Sequence, residues 1–409
     1  MGTHDHGHAA DGWVAPGIER ILTAVAGVCA LITVVGLVIL WPRTDGKASA
    51  DPLLVSADPV AATVQSETVG ACSYDAASEC RQYVVEVTEG EDRGGVFDWE
   101  QGIESRLRAG DEVLVTATET TDGAVTYSFF EYQRRTPLLV LTTLFVVAVL
   151  ALGRLRGFGA LAGLGASLAV VVVFMIPSLL DGNNTLAVAL VAASTIAFIA
   201  VYLAHGFNVA STVALLSTFA SLVLTAVLAD VFVTAGKLTG LTEDSSFMLN
   251  ALGVPIDARG ILLAGMVLGS LGVLDDVTVT QVATVGALRR ADSEAPTLHL
   301  YRSALDVGRD HISSTVNTLF LAYVGAALPL LLLFTEANQS VGSVATREIV
   351  ATEIVRALVG SIGLIASVPI ATGLAAAVYR PGAPVLPKDG RALPVWLARF
   401  RERRRSPRP

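Results

Sequence analysis

Three polar side chains lie in or beside stretches of the sequence that are otherwise apolar. Asp276 falls inside the stretch 260–285, while Asp310 lies just before the stretch 312–334 and Asn317 inside it. A charged side chain within a membrane is costly unless it meets a partner, water or a ligand. Carboxylates and amides in such positions contact protons, cations and small polar solutes. The three residues therefore predict a polar track through an apolar environment.

Small residues around Asp276 are spaced to form one helical face. Residues that are three or four positions apart lie on the same side of an α-helix. This face comprises Gly265, Gly269, Gly272, Asp276 and Thr280. Glycines let a second helix approach closely, so we expect helix packing along this face. Asp275 points about 100° away from it.

Two later stretches repeat the pattern. Near the start of the next predicted helix, one face comprises Asp306, Asp310, Ser314 and Asn317. The last apolar stretch carries a third face, which comprises Glu353, Arg356, Gly360, Gly363 and Ser367. If the helix of Asp276 and the helix of Asn317 are antiparallel neighbours, the ends that are joined by their connection lie at the same level. A rise of 1.5 Å per residue then puts Asp276 about 15 Å and Asn317 about 9 Å from that level. We therefore expect Asp276 to reach Asn317 or a neighbouring hydroxyl, directly or through one water.

Each of these polar groups also has a purely structural interpretation. Glu353 and Arg356 are spaced as an ion pair at a helix interface. Asp306 and Asp310 could cap the beginning of a helix, where carboxylates are favourable. Asp276 could bond to a hydroxyl of a neighbouring helix. The spacing alone leaves these alternatives open.

The composition of the whole chain indicates a membrane protein. Of its 409 residues 53% are hydrophobic and 16% are charged, with a mean hydropathy of +0.61. Soluble proteins have about 25% charged residues, and about 20 apolar residues cross a bilayer as a helix. Eight stretches satisfy this length, near 19–41, 137–153, 157–180, 185–204, 208–235, 260–285, 312–334 and 355–379. We predict an α-helical membrane protein of about eight transmembrane helices.

The basic residues predict its orientation. With a cytoplasmic N-terminus, the inner connections hold seven arginines between Arg20 and Arg309, and nine further basic residues follow from Arg380 onward. The outer short loops hold Lys237, Arg259, Arg347 and Arg356. This asymmetry places both termini in the cytoplasm. The predicted segments are a tail 1–18, a first helix 19–41, an outer domain 42–135, a seven-helix domain 136–380 and a basic tail 381–409.

Both predicted tails suggest partners. The basic residues near the C-terminus would attract anionic lipids at the cytoplasmic surface. His4, His6 and His8 are weak candidate ligands for Zn²⁺, Ni²⁺ or Cu²⁺, because nothing nearby fixes a coordination geometry. We predict no cofactor, although a proton, a cation or a water could bind at Asp276.

The segment 42–135 differs from the rest of the chain. It holds 18 acidic and eight basic residues, and apolar residues alternate with polar ones in 82–87 and 112–118, which predicts strands. Four to six short strands favour a small β-barrel, OB-like in class. Cys72 and Cys80 are spaced for a disulfide in an oxidising compartment. We expect a ligand-sensing or gating domain, or a structural cap. We expect no nucleic-acid binding, since the domain lacks the basic aromatic face that it requires.

The chain resembles the YibE/F family of multi-span bacterial membrane proteins. The signatures are Gly260 to Val277 with its glycines and Asp276, Gly308-Arg309-Asp310, Asn317 to Gly325, and Glu353-Ile354 with Gly360, Gly363 and Pro369. The outer domain, which closes with Tyr132-Gln133-Arg134-Arg135, is similar to that of the family. The resemblance implies a bacterial cytoplasmic membrane protein, described as a permease, whose polar residues include Asp276, Asp310, Asn317 and Glu353. Asp275 departs from the family's pattern, which is apolar there.

We therefore expect a permease or secondary transporter that uses the polar track of Asp276, Asp310 and Asn317. The alternative is an envelope sensor or scaffold without transport, which would tolerate the loss of Asp276. A remote alternative is an intramembrane aspartyl protease, because paired carboxylates can activate water. Those proteases share a Gly-x-Gly-Asp motif, whereas this chain has Val307-Gly308-Arg309-Asp310. The glycine faces also suit a homo-oligomer.

Overall fold

The computed structural model describes residues 16–43, 59–73, 77–90, 92–119, 125–241, 257–336 and 340–381 of the chain. The chain forms two compact units, one of residues 48–157 and one that combines residues 1–47 with residues 158–409. The histidines at positions 4, 6 and 8 and most of the basic C-terminal tail lie outside the described residues.

Long helices dominate the described residues. They are α1 (Pro16–Ile39), α2 (Arg135–Ala169), α3 (Ile176–Leu180), α4 (Thr185–His205), α5 (Val209–Ala235), α6 (Ala258–Ala291), α7 (Thr297–Glu336), α8 (Val341–Ala345) and α9 (Glu348–Val378). A π-helical turn, Val170–Met175, joins α2 to α3. Among the described residues, eight helical segments are long and apolar enough to cross a membrane. The predicted set of eight apolar helices is therefore confirmed.

Short polar turns separate the helices where the sequence predicted them. Arg154 has φ 51° and ψ −128°, so it breaks α2 into the apolar segments Arg135–Arg154 and Gly157–Leu180. A positive φ is uncommon for a residue other than glycine and marks a turn. At the next turn, Asn184 Oδ1 accepts a hydrogen bond from the backbone N–H of Ala187 at 2.9 Å and caps the beginning of α4.

The helix that carries Asp310 begins earlier than its apolar stretch does. It begins at Thr297, so Asp306 lies nine residues and Asp310 thirteen residues inside it. Only the first four backbone N–H groups of a helix lack a partner within the helix. The interpretation of Asp306 and Asp310 as caps is therefore wrong. The apolar count missed the first turns because they are helical but polar.

Five antiparallel strands form a nearly closed barrel in the unit of residues 48–157. The strands are β1 (Val60–Ala71), β2 (Glu79–Val87), β3 (Val96–Gly102), β4 (Glu112–Glu119) and β5 (Val125–Tyr132), in the order β3-β2-β1-β4-β5. Alternate side chains such as Val64, Tyr83 and Val113 are fully buried, which confirms the predicted alternation. The barrel is the small β domain that the sequence predicted.

A disulfide and an aromatic contact hold strands of the barrel together. Cys72 and Cys80 form a disulfide with an S–S distance of 2.00 Å, and it joins the end of β1 to the beginning of β2, as predicted. Phe97 and Tyr127 stack with ring centroids 4.6 Å apart, and they link β3 and β5 at the two edges of the sheet. The Tyr127 hydroxyl also donates a hydrogen bond to Asp92, which raises the pKa of Tyr127 to about 12.

The centre of the larger unit is formed by α5, α6 and α9, with α4 packed on α6 and α7 packed on α9. The buried faces carry many small or hydroxyl side chains, such as Thr218, Thr278 and Ala371. Small residues at helix contacts allow the close backbone approach that is typical of membrane helices. This packing decides which faces of α6 and α7 remain open.

Candidate functional site

The face of α6 that carries Asp276 is exposed along its length. Its five members are all exposed in the chain: Gly265, Gly269, Gly272, Asp276 and Thr280. A Cβ atom added at Gly265 or Gly272 would meet nothing within 4 Å, and one at Gly269 would meet only the hydroxyl of Tyr323, at 3.7 Å. The predicted spacing does place these residues on one face. That face is left open because α5 and α9 pack on the other side of α6.

Asp276 has no partner within the part of the chain that the structure describes. Its side chain forms neither a hydrogen bond nor an ion pair with any described residue. In water such a carboxylate would need no explanation. On a helix that is long and apolar enough to cross a membrane, it requires water, a ligand or another chain.

The neighbouring Asp275 is turned further into the helical unit. It is half-buried, and its Oδ1 atom is shielded from solvent without a hydrogen-bond partner among the described residues. Leu268 and Val279, on the same side of α6, pack against the two largest apolar clusters. A buried carboxylate oxygen without a donor is unfavourable unless a proton, a cation or water meets it. Asp275 was not among the residues predicted from the sequence to form the polar track.

The polar face of α7 is also exposed. Asp310, Ser314 and Asn317 are exposed, and Asp306 pairs with Arg309 at 2.7 Å. The opposite face of α7 is the packed one, since a Cβ atom on Gly308 would lie 2.5 Å from Val368 Cγ1. The two polar faces thus lie on consecutive helices without enclosing one another.

The structure does not bring Asp276 and Asn317 into hydrogen-bond contact. Within the described ranges, the side chains of Asp276, Asp310 and Asn317 form no hydrogen bonds. A contact through one water remains a prediction, because it depends on a molecule between the two faces. What the geometry provides is a set of unsatisfied acceptors and donors on adjacent helices.

The third predicted face, on α9, is filled by internal contacts. Arg356 donates to Glu353 Oε1 at 2.8 Å, and both side chains are about three-quarters buried, with 22% and 24% of their surface exposed. Gly360 lies against Leu319 and Ser270, and a Cβ atom on Gly363 would overlap Thr225 Oγ1. This face therefore joins α9 to α5, α6 and α7.

A buried amide was not singled out from the sequence. Gln281 Nε2 donates to the backbone oxygen of Ala304 at 2.7 Å and to Thr372 Oγ1 at 2.8 Å, so one side chain links α6, α7 and α9. Close by, Thr218 and Thr278 share a hydrogen bond of 2.7 Å between α5 and α6. The signal was present, because a glutamine inside an apolar stretch needs partners as a carboxylate does.

Arg289 is also placed differently from the sequence expectation. The sequence predicts that Arg289 is one of the seven arginines of the inner connections, yet its side chain is fully buried at the end of α6. It donates to the backbone oxygen of Ala295 at 2.7 Å and to that of Tyr379 at 3.0 and 3.2 Å. Backbone carbonyls at a helix end are favourable partners for a cation. Arg289 therefore fastens α6 to the end of α9.

Comparison with known proteins covers most of this helical region. The sequence profile described as YibE/F-like protein matches residues 141–381, a range that includes α6, α7 and α9 and leaves out the β-barrel. No curated protein and no solved structure matches the chain. The matched range contains all three polar faces, so the candidate site lies within the part that defines the family.

Proposed function

We propose that this chain, which belongs to the YibE/F-like protein family, is a membrane permease or secondary transporter. The observation that carries the proposal is that Asp276 is exposed on an apolar helix and has no partner among the described residues. An ionisable residue within a membrane helix is a functional-site candidate by default because of its cost. A role in carrying a proton, a cation or a small coupled solute would explain why the chain has this unfavourable residue.

The proposed location is the bacterial cytoplasmic membrane, with eight spans and both termini in the cytoplasm. The eight apolar helices and the charge asymmetry of the connections support this placement. The barrel, which we propose to be OB-like, would then lie outside, where its disulfide between Cys72 and Cys80 is chemically stable.

The proposed track has an outward-turned and an inward-turned part. Asp276 and Thr280 on α6, with Asp310, Ser314 and Asn317 on α7, offer oxygen ligands on the open faces of two consecutive helices. The shielded oxygen of Asp275 offers a further acceptor on the inner side of α6. Carboxylate, hydroxyl and amide oxygens are the groups that bind hard cations and protons.

The experiment is flux into proteoliposomes that contain the full chain. Proton entry is followed with an internal pH-sensitive dye, and monovalent cation entry with rubidium. We expect Asp276→Asn to lower the flux at least about tenfold, which corresponds to about 1.4 kcal/mol of lost transition-state stabilisation. Asp306→Asn is the matched control, because its exposed carboxylate is already paired with Arg309. Unchanged flux in Asp276→Asn would contradict the proposal.

The second candidate function is an envelope sensor or scaffold without transport. The observation that favours it is that the open faces of α6 and α7 are not enclosed by the described helices, so a partner protein or a second copy could cover them. Glycine faces of this kind also support a homo-oligomer. A sensor would need the barrel and would tolerate Asp276→Asn, so the same substitution separates the two functions.

A further inference from the structure

A polar cavity of about 430 Å³ lies between the β-barrel and the first turn of α2. All of its walls belong to the compact unit of residues 48–157. Three charged residues line it: Glu89 follows β2, Glu112 begins β4, and Arg135 begins α2. Thr63 and Gln133 add a hydroxyl and an amide. The cavity therefore presents two negative charges and one positive charge.

The opposite charges in this cavity do not neutralise one another. The side chains of Glu89, Glu112 and Arg135 are exposed, and none forms an ion pair or a hydrogen bond with any residue that the structure describes. Next to the cavity, Glu131 and Arg134 do pair, at 3.0 Å, and the hydrogen bond from Arg134 lowers the pKa of the Glu131 carboxyl. Unpaired charges of both signs around one space are complementary to a ligand that carries both charges in reverse.

The residues of α2 next to the cavity form an apolar surface. Leu139 lines the cavity, and the residues around it on α2, Leu138, Val140 and Leu141, are 58%, 64% and 62% exposed. A soluble zwitterion has no apolar chain that could contact this surface. A lipid would place its charged head group in the cavity and its chains along α2.

We propose that this cavity binds the head group of a zwitterionic phospholipid that carries a primary ammonium and a phosphate. The ammonium would lie between Glu89 and Glu112, and the phosphate at Arg135, where the beginning of α2 adds a favourable helix dipole. This inference rests on the proposed placement of α2 in the membrane. Its readout is lipid binding, so its failure would leave the flux results of the transport proposal untouched.

The two carboxylates make the site selective between two common zwitterionic head groups. A primary ammonium donates three hydrogen bonds, and charge-assisted bonds to carboxylates are the strong ones. The trimethylammonium of a choline head group has no N–H and cannot donate. Both head groups carry the same phosphate, so Arg135 would serve both equally.

The test is native mass spectrometry of the full chain in detergent, titrated with phosphatidylethanolamine or phosphatidylcholine of identical chains. We expect the ethanolamine lipid to bind about fivefold more tightly, because two exposed charge pairs together contribute a factor of about that size. Glu89→Gln with Glu112→Gln should remove this preference. Arg135→Gln should weaken both lipids alike. Glu104→Gln, an exposed barrel carboxylate that does not line the cavity, is the control.

Three outcomes would overturn the inference. Equal affinity of the unchanged chain for the two lipids would remove the role of the carboxylates. A preference that persists in the double variant would place the lipid elsewhere. Free phosphoethanolamine is added as a competitor, and displacement of the lipid at an equal concentration would show that the site reads a soluble zwitterion and would refute the lipid assignment.

Discussion

Two faces of this molecule have nearly the same sequence signature and opposite surroundings. The α6 face combines three glycines with Asp276, and the α9 face combines two glycines with Glu353 and Arg356. On α9 the glycines are filled by neighbouring helices and the carboxylate is paired at 2.8 Å. On α6 the glycines are uncovered and the carboxylate has no partner within the described residues. The spacing of residues predicts which of them share a helical face. The packing of the neighbouring helices decides whether that face is covered or left open to a ligand or partner.

The sharpest test of this difference is to add one methyl group to each face. Gly363→Ala should destabilise the helical unit by about 2 kcal/mol, because overpacking a close contact costs about 1–3 kcal/mol and the new Cβ would overlap Thr225 Oγ1. Gly272→Ala should leave stability unchanged or slightly raised, since alanine favours a helix over glycine by about 0.5–1 kcal/mol. Thermal unfolding in detergent measures both.

A second substitution identifies the cause of the expected loss. Thr225→Ala removes the atom that the Cβ at position 363 would overlap. The double variant should recover most of the stability lost in Gly363→Ala, because residues in contact show non-additive effects. Additive losses in the double variant would mean that the α9 face does not depend on this contact.

Neutralising the carboxylate of each face should give a smaller difference in the free energy of unfolding. Glu353→Gln removes the carboxylate that pairs with the largely buried guanidinium of Arg356, so we expect the free energy of unfolding to fall by about 1–2 kcal/mol. Asp276→Asn should change stability by less than about 0.5 kcal/mol, as do most substitutions at exposed positions without partners. Chemical denaturation of the purified chain compares them, and equal losses would break the contrast between the faces.

The elements of this fold follow from the sequence more readily than their contacts do. Apolar length is enough to identify eight helices, and alternation with turn residues is enough to identify the barrel strands. The cysteine spacing identified the disulfide because the two residues flank a single short loop. In each case the signal is local, and no knowledge of neighbouring elements is needed.

The environment of each polar residue could not be predicted in this way. The orientation of Asp275 towards the apolar clusters depends on where α4 and α5 pack around α6, and that is a property of several helices together. The same holds for Arg289, which looks like a loop charge in sequence and is buried against the end of α9. Gln281 carries no charge and does not stand out in an apolar stretch, although a buried amide has the same need for partners as a charged group.

The last test of the comparison asks what covers the open face of α6. It uses a substitution for which we expect the smallest effect on stability. If the same face of α6 in a second copy covers it, with the two helices crossing at their glycines, Gly272 lies next to the two-fold axis, and a cysteine there would lie close to the same position in the partner. We expect Gly272→Cys, in a Cys29→Ser background, to form a cross-linked dimer in membranes on mild oxidation, with no loss of stability. Leu358→Cys is the control, since Leu358 is 54% exposed on α9, outside the glycine face. Cross-linking at both positions would indicate random collision. Cross-linking at neither position would mean that lipid, water or the transported ligand, and not a second copy, contacts the α6 face.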